Sequence, residues 1–422
     1  MREVNDATLT EVYVKQSGDN SNSGNEIGKE KKSLNHAYSQ LAYDKPGKIF
    51  VVHDEAPLTA EAMLWTSHPI TVEGINENGK GNTEVAIDCN VPISSQESVF
   101  KCIGTVEFKY LAFHFSTTEH YWDMLIYTST DSLKISNCQF VRVEATSQRG
   151  KTSNVDGNSS VANCLVKVLS GNVFMNSVKC TDDTTYATFH ESLFYFYGAK
   201  EVSLNEVEIN KVNVQSGSAV LVKDESNSST EVSIEGLHMK EVKAENSHVA
   251  GLDITLSSEE STVAIGRTNK CSFKSCMASR GGTSAGAIFI KMENVISHLQ
   301  LPAANNLDID SSNKVNSFSR SIFIVAPDIE EFCEKEDSFE FANDYDESAV
   351  GWIEVTKRHD KEPVDVYEKY IKVRQEKQKD EAQKKKAGTI VAIVVPIVVV
   401  VVVAVVVVVV IIVVRKRKSK SG

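Results

Sequence analysis

The stretch VSLNEVEINKV at residues 202–212 places apolar side chains at relative positions 0, 2, 5, 7 and 10. A spacing of two is typical of one face of a β-strand, because successive side chains point to opposite sides of the strand. The step from position 2 to position 5 is odd, so the chain must bend or bulge there to keep the same side inward. The stretch therefore predicts two short strands joined by a bend.

The same apolar positions recur along the middle of the chain and form a repeat. Five copies keep positions 0, 2, 5 and 7, and they start at residues 106, 133, 173, 202 and 232. A sixth, degenerate copy is predicted from its later positions alone, with Cys271, Phe273 and Cys276 at positions 5, 7 and 10. The successive starts are 27, 40, 29, 30 and about 34 residues apart.

A further apolar run lies between successive copies of this pattern, at residues 124–127, 165–168, 193–196, 219–222 and 287–290. Each repeat thus supplies about three short strands and no helix. A period near 30 residues that contains only strands is typical of a coil whose turns stack on one another, the parallel β-helix. About nine or ten turns at roughly 4.8 Å each predict a coil some 45 Å long.

Other all-β and repeat architectures fit the pattern less well. A β-sandwich or propeller would require antiparallel hairpins with two-residue turns, and only Asn78-Gly79 and Asp156-Gly157 have that form. Leucine-rich repeats require a shorter Leu/Asn pattern than the one found here.

The N-terminal segments resemble the opening of pectin-lyase-like right-handed β-helix proteins. They comprise EVYVKQSGDN at 11–20, a polar loop, the helix-like SLNHAYSQL at 33–41, KIFVV at 48–52 and PITVEG at 69–74. The resemblance implies a right-handed, single-stranded coil covered at its first turn by a short capping helix. Ser33 is the predicted N-cap, and Leu34, Ala37 and Leu41 are expected to cover the coil.

A later segment, 273–290, resembles the F-x-x-N and G-G-A-I repeats of bacterial polymorphic outer-membrane adhesins. Here Cys276 stands in place of the Asn, and 283–285 interrupt the G-G-A-I sequence. The chain is also similar to β-helix surface proteins of single-celled eukaryotes, which end in one apolar span and a basic tail. These resemblances imply a cell-surface role in structure or adhesion.

The C-terminal region predicts one transmembrane helix. Residues 389–414 are 26 consecutive uncharged residues, 17 of them Val. At about 1.5 Å per residue, this run is long enough to cross a hydrocarbon core of roughly 30 Å. A helix also satisfies every backbone donor and acceptor within lipid. The lipid bilayer is therefore a predicted partner of residues 389–414.

A basic cluster follows the span and predicts its orientation. It consists of Arg415, Lys416, Arg417, Lys418 and Lys420. Under the positive-inside rule this cluster stays in the cytoplasm, which places the large N-terminal domain outside the cell. Residues 1–15 contain no secretory signal pattern. Either the start of the chain is missing, or the protein is tail-anchored with a cytosolic domain.

Charge and cysteine content restrict the classes of ligand. The five basic residues of the tail add +5 to a net charge of −12, which leaves −17 on the first 388 residues. Such an acidic body argues against binding nucleic acid. Cys138, Cys180 and Cys271 occupy apolar repeat positions, so we expect buried thiols rather than a zinc site. The sequence contains no recognisable cofactor motif, and we expect no cofactor or metal.

An enzymatic site would require acidic groups near a base. The best local candidates are Asp182, Asp183 and His190, because paired carboxylates near a His are the minimum for acid–base cleavage of a glycoside. The Asp pair lies in a polar, Thr-rich loop, where turn Asp residues are common. We therefore expect no catalysis, and a membrane-tethered polysaccharide lyase or hydrolase remains the alternative. In the consecutive aromatic residues 194–197, we expect alternate side chains to point into the core.

The predicted organisation of the chain is as follows. The segments are an N-terminal strand, loop and helix at 1–46, coil turns at 47–325, an acidic flank at 326–360, a charged spacer or disordered linker at 361–388, the span at 389–414 and the tail at 415–422. Asn158 and Asn227 are in the only N-glycosylation sequons. We expect a cell-surface module that binds a glycan or a protein along the coil.

Overall fold

The computed structural model describes residues 9–354 apart from 61, 66–67, 80, 91–97, 117–123, 130, 144–163, 182–185, 226–227, 281–283, 295–297, 302–305, 310–311, 316–317, 320, 327–338 and 342–349. The chain divides into two compact units, Met1–Val364 and Asp365–Gly422, and all the described residues belong to the first. This part is all-β except for one short helix, α1 (Leu34–Gln40).

The strands of the first half of the chain are β1 (Glu11–Val14), β2 (Gly47–Val52), β3 (Leu58–Thr59), β4 (Ala62–Trp65), β5 (Ile70–Ile75), β6 (Val85–Asp88), β7 (Ser98–Ile103), β8 (Val106–Lys109), β9 (Leu111–Phe115), β10 (Met124–Thr128), β11 (Ser132–Arg142), β12 (Cys164–Val168), β13 (Gly171–Thr181), β14 (Ala187–Phe189), β15 (Phe194–Tyr197) and β16 (Ala199–Val214).

The later strands are β17 (Val220–Lys223), β18 (Glu231–Glu235), β19 (His238–Ala244), β20 (Leu252–Leu256), β21 (Thr262–Ile265), β22 (Cys271–Lys274), β23 (Met277–Ala278), β24 (Ile288–Met292), β25 (His298–Leu301), β26 (Leu307–Ile309), β27 (Lys314–Val315), β28 (Phe318–Ser319), β29 (Ile322–Ala326), β30 (Phe339–Phe341) and β31 (Val350–Glu354).

These strands form two sheets, one of 21 strands and one of ten. The ten-stranded sheet contains β4, β7, β10, β12, β15, β17, β20, β24, β29 and β31. Among the described strands, every pairing is parallel except that of β27 with β28. The apolar runs predicted between the repeats overlap, to within one or two residues at each end, with β10, β12, β15, β17 and β24.

The register of the larger sheet matches the repeat offsets. Each residue at position 2 pairs with its counterpart in the next copy, which joins Phe108, Ile135, Met175, Leu204 and Ile234 into one column. All five side chains are buried. The predicted burial and parallel stacking of Ile135, Leu204 and Ile234 are therefore confirmed.

The predicted bend lies at one position of the repeat. Position 4 has a positive φ in all five copies, at Tyr110, Asn137, Ser177, Glu206 and Gly236, with values between 52° and 62°. This left-handed conformation interrupts the alternation of side chains along the strand at one residue. The side chains at positions 0 and 2 before the bend and at positions 5 and 7 after it therefore all point inward. Gly236 adopts it without steric cost and Asn137 adopts it readily, whereas the other three side chains each cost about 1–2 kcal/mol.

The predicted start of the sixth copy is wrong by three residues. Val263 and Ile265 supply positions 0 and 2, because they pair with Val232 and Ile234. Five residues, 266–270, lie between Ile265 and Cys271, whereas two residues separate the corresponding positions of the preceding copy, so the sixth copy contains a three-residue insertion. The Glu235 carboxylate accepts hydrogen bonds from the backbone N–H groups at 267, 268 and 269 over 2.8–3.1 Å, which stabilises this insertion.

The two sheets enclose a common apolar core. Phe100 of β7 in the ten-stranded sheet contacts Phe108 and Phe113 of the larger sheet, with ring centroids 5.3 and 5.7 Å apart. Phe140 of the larger sheet similarly meets Phe194 of β15 at 5.9 Å. Aromatic pairs at these distances stabilise a core beyond the effect of area burial alone.

Helix α1 packs against β1 and β2. The side chain of the predicted N-cap Ser33 accepts a hydrogen bond from the His36 N–H at 3.4 Å, and Leu34, Ala37 and Leu41 are buried. The short helix therefore lies where the sequence predicts it, with its apolar side chains turned inward.

We expect Leu204→Ala to lower the free energy of unfolding by about 2–5 kcal/mol, because the truncation leaves a cavity inside a fully buried column. Urea unfolding followed by circular dichroism measures the loss. The matched control is Ser203→Ala on the outer face of the same strand, which should change stability by less than about 0.5 kcal/mol. Equal effects of the two substitutions would contradict the inward assignment.

Candidate functional site

Of the predicted catalytic residues, only His190 can be placed. It follows β14, is exposed, and its Nδ1 lies 3.1 Å from the Oε1 atom of Gln215. Asp182 and Asp183 lie outside the described residues, as do the sequon residues Asn158 and Asn227. The described contact of His190 is thus that of an imidazole with an amide, which orients the ring.

The predicted membrane span and the basic cluster Arg415, Lys416, Arg417, Lys418 and Lys420 also lie outside the described residues. Within the part of the chain that the structure describes, no helix has the length and apolar content required to span a bilayer. Over the same residues, no group of three or more His, Cys, Asp and Glu side chains is arranged to hold a metal ion.

The cysteines behave as buried apolar side chains, as predicted for Cys138, Cys180 and Cys271. All seven that the structure describes are buried. Burial raises the pKa of Cys138 and Cys276 to about 12 and that of Cys271 to about 11. These three thiols are therefore protonated at neutral pH and are poor nucleophiles.

The outer face of the ten-stranded sheet is the most distinctive surface of the described chain. In β15 the aromatic run alternates as predicted, since Phe194 and Phe196 are buried while Tyr195 and Tyr197 are partly exposed. The corresponding residues of neighbouring strands also point outward, because the buried side chains on either side of each face the core. This alternation of buried and outward-facing residues brings Lys and Tyr side chains from different repeats onto one surface.

Four of these outward residues form a continuous line across four strands, which we call the Lys–Tyr column. They are direct register partners in the order Lys101, Tyr127, Lys167 and Tyr195. The Lys101 Nζ lies 6.0 Å from the Tyr127 ring centroid, and the Lys167 Nζ lies 5.0 Å from that of Tyr195. Cations and aromatic rings thus alternate along the column, and each Lys lies over the ring of the Tyr on the next strand.

Neighbouring groups add to this surface and interact with the charged and aromatic side chains of the column. Beside the column, the Lys223 Nζ lies 5.9 Å from the Tyr197 ring centroid. The Glu191 carboxylate lies 3.3 Å from the Lys167 Nζ and forms an ion pair with it. Partial burial raises the pKa of Tyr195, so its hydroxyl stays protonated and can donate a hydrogen bond.

Beyond Tyr195 the same line continues through a partly exposed Leu and then becomes covered. Its next members by register are Leu221, Asp253, Phe289 and Phe323. Phe289 and Phe323 are buried in a cluster with Val249 and Ala285, which come from loops outside the sheet. We call Val249, Ala285 and the adjacent His248 the strap; it limits the exposed part of the line.

The strap also covers a carboxylate. Asp253 is 6% exposed, and its Oδ2 lies 3.3 Å from the His248 Nε2. Its Oδ1 has no hydrogen-bond partner within the described residues. The His248 ring lies edge-on to Phe289, with centroids 4.4 Å apart. The imidazole therefore provides both a polar partner for the carboxylate and an apolar contact for the ring.

The sequence predictions do not include the Lys–Tyr column, although its signal is present in the sequence. When the apolar runs of 100–102, 126–128, 166–168 and 194–196 are aligned, Lys, Tyr, Lys and Tyr fall at the same middle position. The predicted catalytic site was instead based on paired carboxylates near a His, and this position contains neither residue type.

Comparisons of the chain with protein family models, with curated proteins and with solved structures gave no match.

The His248–Asp253 pair gives a stability test. We expect His248→Ala to lower the free energy of unfolding by about 1–3 kcal/mol, because it leaves the buried carboxylate without its partner. Asp253→Leu should be neutral or stabilising, since it extends the apolar line between Leu221 and Phe289. Thermal and urea unfolding of both variants measure the two effects.

The double variant His248→Ala/Asp253→Leu is the control, and it should lose less stability than His248→Ala alone. If Asp253→Leu is as destabilising as His248→Ala, the His248–Asp253 interaction contributes net stability, and the assumed net cost of burying the Asp253 carboxylate is wrong.

Proposed function

We propose that this chain is a single-pass membrane protein that displays a right-handed parallel β-helix at the cell surface and has a structural and adhesive role. The pairing of each strand with the strand one repeat later supports a coil. The shared phenylalanine core supports an arrangement in which the two sheets are faces of that coil. Connections between parallel strands are almost always right-handed, which favours this hand.

The anchor in this proposal is the apolar run 389–414, with the basic residues 415–420 in the cytoplasm. Membrane insertion follows from the physical requirement that such a run avoid water. The charge bias of the tail favours an outside location for the preceding domain.

The observation that carries the adhesive role is the Lys–Tyr column. Its side chains are held at fixed spacing by the sheet, so binding a ligand there would order few additional groups. Tyr and Lys offer contact area, hydrogen bonds and charge on a flat face. A flat, preorganised surface suits binding along an extended ligand, either a glycan or a protein segment.

The proposed topology predicts glycosylation. With a supplied signal peptide in a glycosylating cell, the full chain should remain in the membrane pellet after alkaline extraction and shift in mobility after glycosidase treatment. Asn158→Gln/Asn227→Gln is the control and should remove the shift. Membrane retention without any shift would favour the tail-anchored protein with a cytosolic domain.

The adhesive role predicts binding without turnover. The full chain in lipid nanodiscs should retain at least one ligand class on a glycan array or in a protein pull-down. It should release neither reducing ends nor unsaturated uronides from a panel of pectins and pectates. Measurable release that is abolished by Asp183→Ala would establish the enzyme instead, and a complete lack of binding would overturn the adhesive role.

A further inference from the structure

We propose that the Lys–Tyr column binds a linear anionic polysaccharide whose chain crosses the strands along the column. This inference rests on the proposed adhesive function and specifies its ligand. It follows from the spacing, chemistry and accessible length of the column.

The spacing comes from the parallel register. Neighbouring strands of a sheet lie about 4.8 Å apart, so Lys101 and Lys167, two strands apart, are separated by about 9.6 Å at their backbones. Tyr127 and Tyr195 are offset by one strand and have the same separation. The column therefore presents one cation and one ring per two strands, which is close to the length of one disaccharide in an extended chain.

The chemistry of the two residue types is complementary to an acidic sugar polymer. A lysine ammonium binds carboxylate or sulfate as a compact charge. A tyrosine ring offers a flat apolar face for the C–H side of a sugar ring, and its hydroxyl can hydrogen-bond to sugar hydroxyls. The alternation of the two types matches a polymer in which acidic groups recur at regular intervals.

Three ammonium groups give this face a means of binding an anion despite the acidity of the whole chain. Lys101, Lys167 and Lys223 each lie over a Tyr ring on this face, and Lys167 also forms an ion pair with Glu191. The net charge of −12 on the whole chain disfavours general adsorption of polyanions. Binding of a polyanion would thus be confined to this face.

The accessible length predicts the size of the ligand. From Lys101 to Leu221 the side chains of the line are partly exposed, and the line crosses four inter-strand steps, or about 19 Å. The strap then covers Phe289 and Phe323. This length accommodates about four sugar rings, so a tetrasaccharide should be the shortest ligand with near-full affinity.

The experiment measures affinity by calorimetry with the full chain in nanodiscs of neutral lipid. The probes are size-defined oligosaccharides of heparin, of polygalacturonate and of a neutral β-1,4-glucan. We expect anionic tetrasaccharides to bind at least tenfold more tightly than disaccharides or the neutral probe. Affinity should fall as salt is raised, because partly exposed charges are screened. The heparin and polygalacturonate arms distinguish sulfated from carboxylated ligands.

Two sets of substitutions test the column itself. Lys101→Gln/Lys167→Gln should weaken binding at least tenfold and reduce its salt dependence. Tyr127→Ala/Tyr195→Ala should weaken binding at all salt concentrations, while Tyr195→Phe should retain most affinity. The matched control is Lys134→Gln/Phe174→Ala on the larger sheet. It removes a similar cation–ring contact, because the Lys134 Nζ lies 5.4 Å from the Phe174 ring centroid. The control should leave affinity unchanged, and thermal unfolding checks that every variant is folded.

The outcomes separate this inference from the proposed function. Equal losses in the column variants and the control would overturn the column as the site. Binding of a neutral glycan or an acidic peptide, without competition by either anionic probe, would overturn the ligand class while the adhesive function stands. If no class of ligand binds, both proposals fail.

Discussion

Parallel pairing in a common register is the interaction on which the rest of this structure depends. Because each strand aligns residue by residue with the strand one repeat later, like side chains stack directly on like side chains. Val202, for example, pairs with Val173 on one side and Val232 on the other. A shift of one residue would turn every apolar side chain outward, so burial of the core fixes the register strongly. The Lys–Tyr column on the outer face is a consequence of that same register.

Burial of the core also accounts for the left-handed bends. Position 4 of the repeat adopts the left-handed conformation even where the residue is Tyr110 or Glu206, not glycine. The local cost is offset by burial of the flanking apolar side chains, each of which contributes about 1.5–3 kcal/mol. Tertiary burial thus determines the backbone conformation where local preference would favour another.

Much of this arrangement could be predicted from the sequence, because the repeat encodes its own periodicity. The apolar offsets identified the inward residues of β11 and β16 and located the bend between their halves. They failed where a three-residue insertion within 266–270 increased the spacing before Cys271. Nothing local indicated that the Glu235 carboxylate would accept hydrogen bonds from this backbone. The strand β20 was also missed, because Asp253 interrupts its apolar run. The strap could not be foreseen, since its residues meet Phe289 and Phe323 only through the tertiary fold. The Lys–Tyr column was encoded in the sequence, but it emerges only when the runs of different repeats are aligned with one another.

The pairing of each repeat with its immediate neighbours has a mechanical consequence. In such a linear array, stability is approximately a sum of contributions from repeats and from the interfaces between neighbours. A pulling force along the stack is therefore carried by the interfaces in series, and the weakest one separates first while the others keep their hydrogen bonds. Extension under load would proceed by opening one interface at a time, in order of increasing strength. After the load is removed, the repeats on the two sides of an opened interface provide intact strand edges that can pair again.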